Sequence, residues 1–282
     1  MASVPAPITV ACCQIAPRVG EPEHNRALAA QAVEAAAAAG AQVVVLPELC
    51  QSGYVFRDAA EARALAEPAD GPTLAGWAEL ARRHGIVIVG GFCERDAGRA
   101  LHNSCALVDG DGVRAVYRKV HLWDREPLVF TPGDEPPPVV ETAFGRIGIM
   151  VCYDLEFPEW VRLPALDGVQ LLVAPANWPA VPVAPGALPG EVVRAQANAC
   201  VNRIFVAVCD RHGRERGVEW VGGSVICDPD ARLLAGPPPG GGEALLLADC
   251  ELASADDKRV SERNDVLADR RPELYARVAR PA

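Results

Sequence analysis

Aromatic residues are scarce in this 282-residue chain: six Phe, five Trp and four Tyr make up 5% of it, beside only two Met and five His. The histidines (24, 84, 102, 121, 212) include no i, i+4 pair, and the ten cysteines show no C-x-x-C spacing. Both absences argue against a zinc site, and no metal or cofactor is expected. The cysteines mostly sit inside apolar runs, which reads as reduced thiols of a cytoplasmic protein rather than a disulfide framework. Cations are outnumbered, 27 Lys and Arg against 37 Asp and Glu, for a net charge of −10. That balance argues against nucleic acid and anionic membrane surfaces as partners. No run approaches the ~20 apolar residues of a membrane span. The Met1–Pro7 segment lacks the basic start and apolar centre of a secretory signal.

What is present is a long alternation of strand-like and helix-like segments. Strands are predicted at Ile8–Gln14, Gln42–Leu46, Ile86–Phe92, Ser104–Val108, Val113–Lys119, Val139–Thr142, Arg146–Val151, Leu171–Ala174, Ile204–Cys209, Val218–Cys227 and Ala244–Asp249. Helices are predicted at Pro22–Ala39, Pro72–His84, Leu155–Asp167 and Gly190–Asn202. Asp109-Gly110-Asp111-Gly112 and Gly145 mark hairpins, so helical crossovers and hairpins are mixed. About twelve strands exceed the ~10 that one twisted sheet holds comfortably. The expectation is a single α/β domain over residues 1–282, a four-layer α-β-β-α sandwich of two packed mixed sheets with helices outside. No internal repeat is visible. The charge-dense stretch Ser254–Ala282 is expected to be a helical arm, solvated or packed on a partner subunit.

One sulfur stands apart from the rest. Cys152 ends an apolar run, Ile147–Val151, and is followed by Tyr153-Asp154 and a helical pattern. Such a strand–turn–helix elbow exposes the thiol at a strand's C-terminal edge. Glu48 leaves the apolar run Gln42–Leu46 through Pro47, and Lys119 closes Val113–Lys119. Each is placed at a strand end. Together they supply what attack on a carbonyl needs: a thiol, a base to take its proton, and a cation for the oxyanion.

The segments Leu46-Pro47-Glu48, Tyr117-Arg118-Lys119-Val120-His121-Leu122, Phe130-Thr131-Pro132-Gly133-Asp134 and Val151 through Glu159 resemble the nitrilase or carbon–nitrogen hydrolase superfamily. Pro175–Pro179, Arg194–Asn198 and Arg271–Tyr275 extend the likeness over nearly the whole chain in order. The resemblance implies the nitrilase-like sandwich, with Glu48 as general base, Lys119 as oxyanion stabiliser and Cys152 as nucleophile. By position Glu126 would be a second glutamate that orients the lysine or substrate, after an unusually short loop, Trp123-Asp124-Arg125. The Tyr153 amide would be an oxyanion donor, and Trp178, Asn177 and Tyr54 would belong to the substrate-binding wall. It also implies a homodimer or higher homo-oligomer with the C-terminal arm at the interface.

Tyrosine after the nucleophile, then Asp-Leu-Glu-Phe-Pro-Glu, is similar to the amidase and carbamoylase branches. The expected reaction is hydrolysis of a small aliphatic primary carboxamide to carboxylate and ammonia through a Cys152 thioester. N-carbamoyl amines and nitriles are the alternatives. Gly217-Val218-Glu219-Trp220-Val221-Gly222-Gly223 is similar to ω-amino-amide hydrolases, in which case Glu219 would meet a substrate ammonium. A Cys–His hydrolase using His121 or His84 as base is a rival.

Overall fold

A computed structural model describes residues 6–278. Its first half holds strands β1 (Ile8–Gln14), β2 (Val43–Val45), β3 (Val87–Arg95), β4 (Leu101–Asp109) and β5 (Gly112–Arg118), with helices α1 (Pro22–Ala38), α2 (Ala59–Leu65) and α3 (Pro72–His84). The second half holds β6 (Val139–Thr142), β7 (Gly145–Ile149), α4 (Pro158–Leu166), β8 (Leu171–Pro175), α5 (Gly190–Asn202) and β9 (Phe205–Cys209). Short strands β10 (Arg214–Glu215) and β11 (Val218–Glu219) form a ribbon. They are followed by β12 (Val225–Cys227), β13 (Leu233–Ala235), β14 (Ala244–Cys250), β15 (Arg259–Ser261) and β16 (Asn264–Asp265).

Two six-stranded sheets result, ordered β14-β1-β2-β3-β4-β5 and β13-β12-β9-β8-β7-β6. Each has three parallel central strands, one antiparallel strand on one flank and an antiparallel hairpin on the other. The two halves thus share one strand plan, although the sequence shows no repeat. Helices α1, α3 and α4 each open on a proline, where the missing N–H costs nothing and φ is preset.

Side-chain alternation divides the first sheet between two cores. Val10, Cys12, Val43, Val45, Val87, Val89, Cys105 and Leu107 face the second sheet. Ala11, Cys13, Val44, Leu46, Ile88, Ala106 and Val108 face α1 and α3. Both faces of the central strands are therefore apolar, which is why Val43–Val45 reads as an uninterrupted Val run.

Four expectations change. The helix expected over Leu155–Asp167 is broken: Cys152–Glu156 forms a 3₁₀ turn, and α4 starts only at Pro158. Pro158 disfavours helical geometry at the residue before it, and Phe157 takes φ −106° and ψ 94°. The strand expected over Val218–Cys227 is split into β11 and β12. Gly222 lies between them at φ 62°, and any Cβ there would overlap the Gly241 carbonyl. Helix α2, capped by the Asp58 carboxylate on Glu61 N at 2.9 Å, and strand β13 were not expected. The C-terminal stretch is no helix in its described part: it carries the β15–β16 pair and a 3₁₀ turn at Pro272–Leu274. Its last four residues, and the first five of the Met1–Pro7 segment, lie outside the described residues.

Candidate active site

The central strands of both sheets deliver their C-terminal ends to one place. Just past β2, Glu48 packs over Gly91 of β3, whose missing side chain makes room: a Cβ there would overlap the Leu49 nitrogen and crowd Glu48 Cα at 2.6 Å. Lys119 follows β5, fixed by its N–H on Asn103 O at 2.8 Å and by Gly133 N on its own carbonyl at 2.9 Å. Cys152 lies beyond β7, at the start of the 3₁₀ turn. Its φ of 43° is left-handed, the strained elbow that turns the sulfur out of the strand. The structure thus brings Glu48 and Lys119 from one sheet and Cys152 from the other into one network.

The hydrogen bonds are specific. Lys119 Nζ donates to Glu48 Oε1 and to Glu126 Oε1, both at 2.8 Å. Asn103 Nδ2 bridges the same two oxygens at 2.7 and 3.1 Å. Tyr54 OH adds a 2.7 Å bond to Glu126 Oε1, and Trp123 N holds Glu126 Oε2 at 2.8 Å. Every oxygen of Glu126 is thereby occupied. Glu48 Oε2 is different: it is buried and has no partner. Asn177 Nδ2 fixes the Glu48 carbonyl at 2.8 Å, while the Asn177 carbonyl lies 4.0 Å from Cys152 Sγ.

Charge explains the protonation states. Burial pushes the Glu48 carboxyl up to about 7, with Glu126 adding to the rise and Lys119 opposing it. For Lys119, burial disfavours the cation, yet Glu126 and Glu48 outweigh it and hold the ammonium protonated well above its usual range. Burial, then the Glu48 charge, raise the Cys152 thiol well above its ordinary value, Lys119 pulling the other way. The resting sulfur is a neutral thiol, so attack requires a base. The free oxygen of Glu48 has the chemistry for that.

The other candidates fall in varied places. Tyr153 is half-buried, packed edge-on against Trp123 and Phe157. Trp178 is buried and tied by its N–H to Asp210 Oδ1 at 2.9 Å. Glu219 is exposed on β11, while its neighbours Val218 and Trp220 line a cavity beside Glu126. Strand alternation sets Glu219 on the side away from that cavity. His121 Nδ1 is 2.7 Å from Asp154 Oδ1, with its ring stacked on Phe157, and His84 pairs with Glu34 on α1. Neither serves Cys152 as base. Among the described residues no group of three His, Cys, Asp or Glu could hold a metal ion, and no helix is long and apolar enough to cross a membrane.

Sequence reasoning missed Asn103 and Asp154. Asn103 is a polar interruption inside the apolar strand β4, which was the available signal. Asp154 accepts from Tyr117 OH at 2.8 Å, Val151 N at 3.2 Å and His121 N at 3.1 Å, binding the nucleophile turn to the lysine segment.

The model of the carbon–nitrogen hydrolase family matches residues 9–259. The chain belongs to that family. This hydrolase is 36% identical over 271 residues to a protein of Pyrococcus abyssi named nitrilase, covering 96% of the chain and 100% of the relative. It is 33% identical to an N-carbamoylputrescine amidase of Solanum lycopersicum, over 95% of the chain and 93% of that protein. An amidase from Nesterenkonia sp. superposes with TM-score 0.79 and 30% identity, each chain covered to 97%. The hydrolase shares that amidase's sandwich. A mutant of the same amidase was solved with the acetamide moiety of fluoroacetamide added covalently at its active site cysteine.

Proposed function

We propose that this hydrolase converts a primary carboxamide to its carboxylate and ammonia through a thioester on Cys152. The observation that carries the reading is the unpartnered oxygen of Glu48, buried in a network that also holds Lys119 and reaches Cys152 through Asn177.

Glu48 accepts the thiol proton as sulfur attacks the carbonyl carbon. The carbonyl π electrons move to oxygen, and the oxyanion is stabilised by the Lys119 ammonium, with the Tyr153 amide as second donor. Glu48 returns its proton to the amide nitrogen, the C–N bond breaks, and ammonia departs. Water then gives a proton to Glu48 and attacks the thioester. Collapse expels the Cys152 sulfur, which regains the proton from Glu48, and the carboxylic acid leaves, giving its remaining proton to the released ammonia. Glu126 takes no part in the proton transfers; it accepts from Lys119, Asn103, Tyr54 and Trp123 and so aligns Lys119. The wild type should release ammonia from carboxamides in a panel that also contains N-carbamoyl amines and nitriles, and Cys152→Ala should release none. Activity that survives in Cys152→Ala, or that is confined to nitriles, would overturn the reading.

A further inference from the structure

Beside the catalytic network lies a cavity of about 550 Å³ whose wall includes Glu126. Five of the chain's fifteen aromatic rings line it: Tyr54, Phe56, Trp123, Phe130 and Trp220. A chain so poor in aromatics has placed a third of them around one void. The rings brace each other, Tyr54 edge-on to Trp220 at 5.3 Å and Phe56 to Phe130 at 5.9 Å. The wall is also held from outside. Glu215, buried, accepts from Tyr54 N at 3.0 Å and Val55 N at 2.7 Å, and pairs with Arg211, whose guanidinium lies 5.0 Å from the Trp220 ring.

The cavity shares two wall residues, Tyr54 and Glu126, with the catalytic network. Tyr54 OH touches Glu126, which holds Lys119. Pro179, also in the lining, follows Trp178, whose carbonyl accepts from Val221 N at 2.9 Å. A substrate with its carboxamide at Cys152 and Lys119 would extend between these rings.

The wall offers little to a charged tail. Asp58 is spent on capping α2, Arg57 pairs with Glu61 at 3.0 Å, and all donors to Glu126 are internal. Asp124 and Arg125 sit adjacent in sequence with opposite charge. The one buried polar atom of the lining left without a partner, among the described residues, is Trp220 Nε1, a donor with nothing to give an ammonium.

We propose, resting on the amidase reading above, that this cavity is the acyl pocket and that the preferred carboxamides carry an aryl or bulky apolar group, not an ω-ammonium. The test compares kcat/KM for acetamide, hexanamide, its ω-amino analogue and phenylacetamide. Phenylacetamide should exceed acetamide by about thirtyfold or more, since a buried ring removes that much apolar area from water. Hexanamide should exceed its ω-amino analogue by about tenfold or more, the cost of leaving a charge without a partner. Phe56→Ala should shrink the phenylacetamide-to-acetamide ratio by about tenfold. An ω-amino analogue equal to or better than hexanamide, or a ratio untouched in Phe56→Ala, overturns the proposal. If the wild type releases ammonia from none of these, the amidase reading fails. Calorimetric titration of Cys152→Ala with phenylacetamide and the ω-amino analogue then decides the pocket: binding of the aryl compound alone upholds it, and any other pattern sinks it.

Discussion

Lys119 stands between two carboxylates, one positive charge for two potential negatives in a dry site. One carboxyl therefore bears the cost of ionising, and it is Glu48, whose second oxygen has no donor. Glu48 is protonated below about pH 7 and ionised above it. A base must be ionised to act, so kcat/KM should fall on the acid side with a limb near pH 7. A limb near ~4.3, the unperturbed glutamate value, would mean Glu48 is not the base. Glu48→Gln keeps the shape and one acceptor but removes proton transfer, and kcat should drop by ~10²–10⁴ with circular dichroism unchanged. Glu48, Lys119 and Cys152 could be read from the chain because each sits at the end of a strand, two of them after wholly apolar runs. Asn103 could not be read this way. It lies inside a strand, and only the pairing of β3, β4 and β5 sets it beside both glutamates.

At the scale of elements, the nucleophile turn is anchored by Asp154. Its carboxylate gathers Tyr117 OH, Val151 N and His121 N, and lies 2.7 Å from His121 Nδ1, so β5, the lysine segment and the turn share one acceptor. Asp154→Ala should lower stability by about 2–5 kcal/mol in urea titrations, since each buried donor left unpaired costs ~1–3 kcal/mol. Asp154→Asn should retain part of that stability yet slow alkylation of Cys152 by iodoacetamide. An unchanged alkylation rate would confine Asp154 to a structural role. The broken helix after Cys152 shows how far periodicity reaches. The apolar spacing of Leu155–Asp167 is helical, but Pro158 decides where the helix starts, and a sharp turn for the thiol is what remains before it. Glu219 is exposed, and it is its neighbours Val218 and Trp220 that line the cavity.

For the whole molecule, two packed sheets were legible from strand count and from the continuous apolar runs, whereas β13 and the shared strand plan were not, because pairing order leaves no local trace. The outer faces of α4 and α5 expose Leu166, Val193 and Val201, and the C-terminal stretch exposes Leu274, Tyr275 and Val278. Uncovered apolar side chains in such number fit a second copy of the chain. Light scattering should give twice the monomer mass, and Val193→Asp combined with Val201→Asp should halve it. A monomeric wild type would sink the idea.

Glu48 and Lys119 leave one six-stranded sheet, and Cys152 leaves the other. Turnover is therefore a coincidence signal: it reports that two similar halves have docked in register, which neither half can announce alone. A chain stalled with one sheet formed has the thiol without the carboxylate and the ammonium beside it, and cannot turn over on the mechanism proposed above.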